Sequence, residues 1–309
     1  MNIYVSGSLA YDRIMTFPGR FADHIMPDKI HMLNISFTVS GMVERPGGTA
    51  GNIAYALSLL GEKPTILATL GRDGQPYLDW LAKNGISHEG IRTVPEEFTA
   101  SAYITTDQND NQITGFNPGA MKHRAGYYVG GADPRQSIGI VAPGNLDDMI
   151  GYRGAYVQEG VDYIFDPGQS LPIWNGDALA ETLTGARVLI SDDYEFALIQ
   201  QKTGLDKADL LRRVRAIITT RAEHGSVLST VEGEVTVPAY PVGGTLVDPT
   251  GAGDAYRGGL VKGIVQGKSL VDSARIGTIC ASFCVQVQGT QAYRFTAAEF
   301  EERLGKLGQ

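Results

Sequence analysis

Short apolar segments alternate with helical segments along most of the chain, and glycine-containing turns separate them. Buried strands that alternate with helices are typical of a mostly parallel sheet with helices on both faces. The predicted strands are Ile3–Ser6, Thr65–Leu70, Ile138–Ala142, Tyr163–Phe165, Val188–Ile190, Ala216–Thr219 and Ser226–Ser229. The predicted helices include Asn52–Leu60, Gly74–Lys83, Gly176–Thr184 and Glu195–Thr203, and the last third, from residue 251 onward, is predicted to be mostly helical. The pattern favours a three-layer α/β/α fold.

Two stretches interrupt this alternation. The first, Arg13–Arg45, has no helical period and contains the alternating run Leu33–Val39. The second predicts a strand pair, Ser101–Thr105 and Gln112–Phe116, around a turn-rich segment. We interpret the stretches at about 13–45 and 99–119 as a small β-sheet that acts as a lid over a site, and surface hairpins are the alternative.

Composition excludes several functional classes. The 309-residue chain carries a formal net charge of −8, which disfavours nucleic acid as a partner. No segment approaches the roughly 20 apolar residues of a membrane span, and the N-terminus does not resemble a signal peptide, so a cytoplasmic protein without a membrane partner is predicted. The two cysteines, Cys280 and Cys284, are interpreted as packing residues rather than a metal or redox pair.

The segment Val247–Ala255, VDPTGAGDA, is the strongest chemical signal. Gly251 and Gly253 can direct successive backbone N–H groups at one point where a helix begins, and such a point binds anions. Asp254 at this position is suited to remove a proton from a hydroxyl while the amides hold a phosphoryl group. The alternative is that Asp254 caps the helix and the glycines make a turn.

Two further glycine-containing segments accompany this motif. Pro46–Asn52, PGGTAGN, precedes a helix and is suited either to a hinge with a close approach to ligand or to a plain helix start. Gly7–Asp12, GSLAYD, follows the first strand, where ligands of open α/β sheets bind. Asp12 can accept hydrogen bonds from two vicinal hydroxyls there, although an exposed loop carboxylate is the simpler reading.

The segments GGTAGN and DPTGAGDAYRGG resemble the two signatures of the ribokinase-like (PfkB) carbohydrate kinases, in the right order and spacing. The segments GSLAYD, LNISF, NDNQITGFNPGAM, FDPGQ, DDYE, TTRAEHG and QGTQAY most resemble the microbial nucleoside and adenosine kinases of that family. The resemblance implies a single ribokinase-like domain over residues 1–309. It also implies an enzyme that uses ATP and Mg²⁺, with a monovalent cation such as K⁺ near Asp248–Thr250, and that acts as a monomer or homodimer.

The resemblance also implies roles on the acceptor side. Asp254 would be the general base, and Gly251, Ala252 and Gly253 would form the anion hole. Residues of the sugar pocket and of segments that face the nucleoside would be Asp12, Asn34, Gly48, Asn52, Gln112, Phe116 and Gln169. For Asn34, Gln112, Phe116 and Gln169, a position that faces solvent or core is the alternative.

On the nucleotide side, DDYE resembles the family's Asn-x-x-Glu element, so Glu195 would organise Mg²⁺ through water. Asp192 replaces the usual Asn and adds a charge that needs compensation. Thr220 and Gly225 match the nucleotide loop, whereas Ala222 replaces a common glycine and is expected to avoid positive φ. Arg257 would either neutralise transition-state charge or form a structural ion pair within its helix.

The predicted reaction is transfer of the ATP γ-phosphoryl group to the 5′-hydroxyl of a ribonucleoside. A kinase of a free sugar or sugar phosphate is the nearest alternative. A non-catalytic nucleoside sensor on the same fold is the second.

Overall fold

The computed structural model describes residues 1–26, 31–32, 34–244 and 246–307. The strands found in these residues are β1 (Asn2–Ser6), β2 (Ala10–Thr16), β3 (Gly41–Gly47), β4 (Pro64–Gly71), β5 (Ile91–Val94), β6 (Ala100–Thr106), β7 (Gln112–Asn117), β8 (Ser137–Val141), β9 (Asp162–Phe165), β10 (Val188–Asp192), β11 (Ile217–Thr220), β12 (Ser226–Thr230) and β13 (Gly233–Val237). The helices are α1 (Thr49–Leu59), α2 (Gln75–Lys83), α3 (Leu146–Glu159), α4 (Gly176–Leu183), α5 (Asp193–Thr203), α6 (Lys207–Leu211), α7 (Ala252–Val265), α8 (Leu270–Cys284) and α9 (Ala297–Leu307).

The larger sheet has the strand order β13-β12-β11-β10-β9-β8-β1-β4-β5. The strands from β11 to β5 are parallel to their neighbours, and the β11–β12 and β12–β13 pairs are antiparallel. The carboxyl ends of β1, β8, β9 and β10 therefore lie along one edge. Strands β5 and β13 were not predicted, because neither is a continuous apolar run: two of the four residues of β5 and four of the five residues of β13 are exposed.

Successive side chains of the central strands pack into different cores on the two faces of this sheet. Ile190 of β10 belongs to a core shared with α1, α7 and α8, whereas its neighbour Leu189 belongs to a core shared with α3, α4 and α5. Alternation of this kind requires apolar residues at nearly every position of a strand, which is why the strands read as continuous apolar runs. The predicted three-layer α/β/α architecture is confirmed.

The smaller sheet has the order β3-β2-β6-β7, and its β2–β6 pair is parallel. The prediction of a small sheet separate from the main sheet is confirmed. Its first strand begins at Ala10, before the predicted stretch, and its action as a lid stays a prediction. The alternating run Leu33–Val39 was not its strand: residues 34–39 are irregular, and Leu33 lies outside the described residues. Phe37 instead packs against Phe17, with ring centroids 4.6 Å apart, and so serves an aromatic cluster rather than a strand pair.

Both cysteines are free thiols, and both are buried in the core that α1, α7 and α8 share with one face of the main sheet. Burial raises the pKa of the Cys280 thiol to about 12, which leaves it protonated and inert. Within the described part of the chain, no helix has the length and apolar character needed to cross a membrane.

Candidate active site

Helix α7 begins at the turn of residues 249–254, which the sequence predicts to bind an anion and which is called the anion-binding turn below. Gly251, the residue before the helix, has a φ of +80°, a conformation that strains residues with a Cβ atom. A Cβ atom at Gly251 would also lie 2.8 Å from Cγ2 of Thr290. The N–H of Ala252 donates to the carbonyl of Pro249, whereas the N–H groups of Gly251 and Gly253 have no acceptor among the described residues. Two of the three predicted donors are thus available to an anion at the positive end of the helix.

Asp254 lies in the first turn of α7 and lines the same cavity as these glycines, a cavity of about 830 Å³. Its Oδ2 accepts a hydrogen bond of 2.8 Å from Nδ2 of Asn52. Its Oδ1 has no partner among the residues that the structure describes. Burial raises the pKa of Asp254, and the charge of Arg257 and the hydrogen bond from Asn52 act in the opposite direction. Helix α7 has no side-chain cap, so Asp254 does not serve as one, and its carboxylate faces the cavity with one oxygen available.

Arg257 forms a buried ion pair that neither sequence-based alternative included. Its guanidinium contacts Asp166, which follows β9, and Nη2 donates to Oδ1 of Asp166 over 2.8 Å. Asp166 is 1% exposed and Arg257 is 7% exposed. The predicted partner one helical turn away, Asp254, interacts with Arg257 only through longer-range attraction. Asp166 was missed as a site residue, although it lies in the FDPGQ segment that resembles the family.

The extra charge of Asp192 is compensated by the start of α5. Asp192 caps this helix and accepts from the N–H of Glu195, and Glu195 in return accepts from the N–H of Asp192 over 2.9 Å. Backbone donors at the positive end of a helix stabilise a carboxylate. Asp192, Glu195 and Asp166 all line the cavity.

The loop of residues 220–225, which resembles the family's nucleotide loop, differs from one expectation. Ala222 has a φ of +46°, so the backbone there does adopt the left-handed conformation that we expected alanine to avoid. The reason is the tight turn between β11 and β12, in which the N–H of Gly225 donates to the carbonyl of Ala222. Gly225 has a φ of +82°, and a side chain there would collide with the carbonyl of Val237. Thr220, Ala222 and Gly225 all line the cavity.

The predicted acceptor side lies where the small sheet meets the main sheet. Gly48 has a φ of +86°, and a Cβ atom there would lie 2.6 Å from the carbonyl oxygen of Ser8. Asp12 of β2 lies so close to Gly47 that a Cβ atom at Gly47 would collide with its carboxylate. Burial, and secondarily the charge of Asp248, raises the pKa of Asp12 to about 6, whereas Arg45 acts in the opposite direction.

Asn52 does not line the cavity that Asp254 lines. It is 5% exposed, and its amide binds Asp254 on one side and Gln291 on the other. Gln169 lines the cavity, as expected of a ligand-facing residue. Gln112 and Phe116 are exposed on β7, and Asn34 is exposed in an irregular segment. Their contact with a nucleoside stays a prediction that depends on movement of the small sheet.

The donor groups of the cavity bear on the predicted metal sites. The described residues contain no group of three or more His, Cys, Asp or Glu side chains able to hold a metal ion. Mg²⁺ commonly keeps several waters and binds one or two carboxylates together with substrate phosphates, so Glu195 and its acidic neighbours fit this mode. Asp248 accepts from the N–H groups of Thr250 and Gly289 at 2.9 and 3.0 Å, which orders the segment predicted for a monovalent cation.

The chain resembles known proteins over most of its length. The family model described as pfkB family carbohydrate kinase matches residues 10–296. A nucleoside kinase of Methanocaldococcus jannaschii is 32% identical over 276 residues, which are 88% of this chain and 90% of that protein. Fructokinase-2 of Oryza sativa is 26% identical, with 86% and 87% covered.

Solved structures of nucleoside kinases share the fold of this chain. The nucleoside kinase of Burkholderia thailandensis in complex with inosine is 40% identical, with a TM-score of 0.87 and coverage of 98% of this chain and 97% of that one. The structure of the same kinase in complex with ADP-inosine is 41% identical, with a TM-score of 0.84, and the match covers 99% of this chain and 95% of that one. The predicted ribokinase-like fold and family resemblance are confirmed. The chain belongs to the pfkB family of carbohydrate kinases.

Proposed function

We propose that the chain is an ATP-dependent nucleoside kinase that phosphorylates the 5′-hydroxyl of a ribonucleoside. The observation that carries this proposal is the position of Asp254, whose Oδ1 faces the cavity beside the unpaired N–H groups of Gly251 and Gly253. A base next to donors for a transferring phosphoryl group is the arrangement that phosphoryl transfer to a hydroxyl requires. A cytoplasmic location, where ATP is produced, is part of the proposal.

The proposed reaction is an in-line transfer. The O–H bond of the acceptor breaks, and its proton moves to Oδ1 of Asp254. The acceptor oxygen forms a bond to the γ-phosphorus as the bond from that phosphorus to the β–γ bridging oxygen breaks, and ADP leaves. The N–H groups of Gly251 and Gly253 stabilise the charge on the transferring group. Asp254 is positioned for the first step because Asn52 already occupies its other oxygen.

Mg²⁺ would be held near the phosphates by Glu195 through water, and it would neutralise charge on the nucleotide. The buried Arg257 supplies a further positive charge below the anion-binding turn, since a Cβ atom at Gly253 would lie 2.7 Å from its Nη1. K⁺ near Asp248–Thr250 would add to the positive field at the same turn.

The nucleoside is proposed to lie against the small sheet, whose strand β2 carries Asp12. Asp12 would accept hydrogen bonds from the 2′- and 3′-hydroxyls, and Gly48 allows close approach of the backbone. The small sheet, formed by the stretches 13–45 and 99–119, would close over the nucleoside and exclude water. The names of the relatives at 32% and 40% identity support a nucleoside over a sugar, since the fructokinase is more distant at 26%.

A substrate panel tests the proposal. ADP release is measured with ATP, Mg²⁺ and, in turn, adenosine, inosine, cytidine, ribose, fructose and fructose 6-phosphate. We expect the highest kcat/KM with a ribonucleoside. Preference for a free sugar would contradict the nucleoside assignment. Calorimetric binding of a nucleoside without any ADP release would contradict the kinase and support a sensor.

Substitution of Asp12 tests the acceptor side. Asp12→Ala should raise the KM for the ribonucleoside about ten- to a hundredfold, because hydrogen bonds to a charged group contribute about 1.5–3 kcal/mol. The KM for ATP should change little. The control is Asp23→Ala, an exposed carboxylate near the small sheet that pairs with Arg20. An unchanged nucleoside KM in Asp12→Ala would show that Asp12 does not bind the ribose.

The raised pKa of Asp12 predicts a pH dependence of nucleoside binding. The carboxylate accepts two hydroxyls only when ionised, and its pKa is about 6. Affinity should therefore be constant above that value and fall as pH decreases through it, by up to about tenfold at pH 5. Calorimetric titration of inosine without ATP measures this slope. The slope should disappear in Asp12→Ala, and its persistence there would assign it to another group.

A further inference from the structure

A hydrogen-bonded chain of three side chains lies behind Asp254 and outside the cavity lining; Asn52 and Gln291 are buried, and Trp80 is partly buried. Nε1 of Trp80 on α2 donates to Oε1 of Gln291 over 2.8 Å. Nε2 of Gln291 donates to Oδ1 of Asn52 over 3.0 Å, and Nδ2 of Asn52 donates to Oδ2 of Asp254 over 2.8 Å. Three hydrogen bonds thus connect an indole N–H to the carboxylate proposed as the base.

Trp80 determines which group donates and which accepts in each of these hydrogen bonds. An indole N–H can only donate, so Gln291 must present its carbonyl oxygen to Trp80 and its NH₂ group to Asn52. Asn52 then accepts with Oδ1 and directs its own NH₂ group at Asp254. Gln291 is 4% exposed and Asn52 is 5% exposed. A reversed amide at either residue would leave buried donors and acceptors unpaired, which is costly.

A branch of the network uses the second N–H of Gln291. Nε2 of Gln291 also donates to the hydroxyl of Tyr77 over 2.9 Å, and that hydroxyl donates to the carbonyl of Gly47 over 2.7 Å. Tyr77 is fully buried. The two hydrogen bonds of this branch do not determine which end of the Gln291 amide faces Asn52. That orientation is determined by Trp80 and Asn52, which bind opposite ends of the amide.

We propose that Gln291, oriented by Trp80, is a positioning residue that keeps the NH₂ group of Asn52 on Oδ2 of Asp254, so that Oδ1 alone receives the proton. Neither Gln291 nor Trp80 lines the cavity, and both act through Asn52. The inference rests on the proposed kinase function. It explains why an amide, rather than another carboxylate or an apolar residue, occupies position 291.

The electrostatic consequence follows from the groups that face Asp254. These are Arg257 on its own helix, Asp12 of β2, Glu195 of α5, Asp166 after β9, and the more weakly interacting Tyr77, Tyr293 and Cys284. Among the described neighbours, the N–H of Asn52 is the hydrogen bond that favours the ionised carboxylate. A turned Asn52 would place its carbonyl oxygen against that carboxylate and raise the pKa further, so less of the base would be ionised at a given pH.

The test is Gln291→Met, with the phosphoryl-transfer rate measured in single-turnover reactions from pH 5 to pH 9. We expect a rate about ten- to a hundredfold below that of the unaltered chain at pH 6. The acidic limb of the profile should move to higher pH, so that the rate recovers as pH rises. The KM for the ribonucleoside should stay within about twofold, because no contact with substrate is lost. A purely structural defect would lower the rate by the same factor at every pH.

Tyr77→Phe is the matched control, since it removes two buried hydrogen bonds but leaves the Trp80–Gln291–Asn52 order intact. Its acidic limb should coincide with that of the unaltered chain. If Gln291→Met does not fold, Trp80→Phe removes the indole N–H that orients Gln291 while it keeps an aromatic ring beside Tyr55, and it should move the limb in the same direction. The inference is overturned if the folded Gln291 or Trp80 variant keeps the unaltered limb, or if Tyr77→Phe moves it equally. Absence of turnover by the unaltered chain would refute the proposed function itself.

Discussion

Asp254→Asn is expected to lower kcat at least about a hundredfold, the lower range for loss of a general base. An amide cannot take the proton of the acceptor hydroxyl, although it fills the same space and its oxygen can still accept from Nδ2 of Asn52. The fold should be retained, because Arg257 keeps its partner Asp166 and the neighbours Asp12 and Glu195 no longer repel a charge. Coupled ADP release with the preferred nucleoside measures the effect.

Asp272→Asn is the matched control for this substitution. Asp272 is the third residue of α8, as Asp254 is the third residue of α7, but it is exposed and lies outside the cavity. Its kcat should equal that of the unaltered chain. An Asp254→Asn variant that retained the unaltered kcat would refute the assignment of Asp254 as the base, whatever its effect on binding.

Arg257→Met is expected to destabilise the fold by about 3–5 kcal/mol. The substitution leaves Asp166, which is 1% exposed, as an unpaired buried carboxylate. Without Arg257, burial and the charges of Asp254 and Asp192 all raise the pKa of Asp166. The free energy of unfolding, measured by urea denaturation, reports the loss.

The same variant should show a characteristic pH dependence. A carboxyl whose folded-state pKa exceeds its unfolded value favours folding while protonated, so the stability deficit should be smallest at low pH and grow as pH rises. Adding Asp166→Asn to Arg257→Met should recover part of the stability, because no charge is then buried. Arg275→Met removes an exposed ion pair with Asp272 and should cost about 0–1 kcal/mol. A deficit in Arg257→Met as small as that of Arg275→Met would show that Asp166 does not depend on Arg257.

Much of the fold could be predicted from local patterns. Central strands such as Val188–Asp192 contribute to cores on both faces of the sheet, so they appear as apolar runs in the sequence. The anion-binding turn at 249–254 is also local, because glycines and a helix start generate it within six residues. Edge strands β5 and β13 were missed because exposed strands carry no such pattern. Residues 34–39 alternate between apolar and polar side chains but do not form a strand, because Phe37 packs into an aromatic cluster instead.

The partners of the site residues could not be predicted in this way. Arg257 appeared to have a candidate partner three residues away, but the fold provides Asp166, which is 91 positions distant. Asn52 was predicted to belong to the sugar pocket, which stays a prediction, and its amide lies between Asp254 and Gln291, a residue 239 positions away that no sequence pattern indicated. Such pairs form where the carboxyl ends of parallel strands lie beside the starts of helices. The spacing of residues in the sequence does not indicate which of these segments become neighbours.

By itself, the sequence determined the layered α/β fold, the glycine turn before α7 and the carboxylate at residue 254, because each depends on neighbouring residues and their backbone preferences. Only the tertiary structure decided which oxygen of Asp254 is available, which charge balances Arg257, and that Trp80 and Gln291 are linked by hydrogen bonds to the amide of Asn52 beside Asp254. The physical reason is that burial removes water as a hydrogen-bond partner, so each polar group must pair with whatever distant residue the packing brings to it.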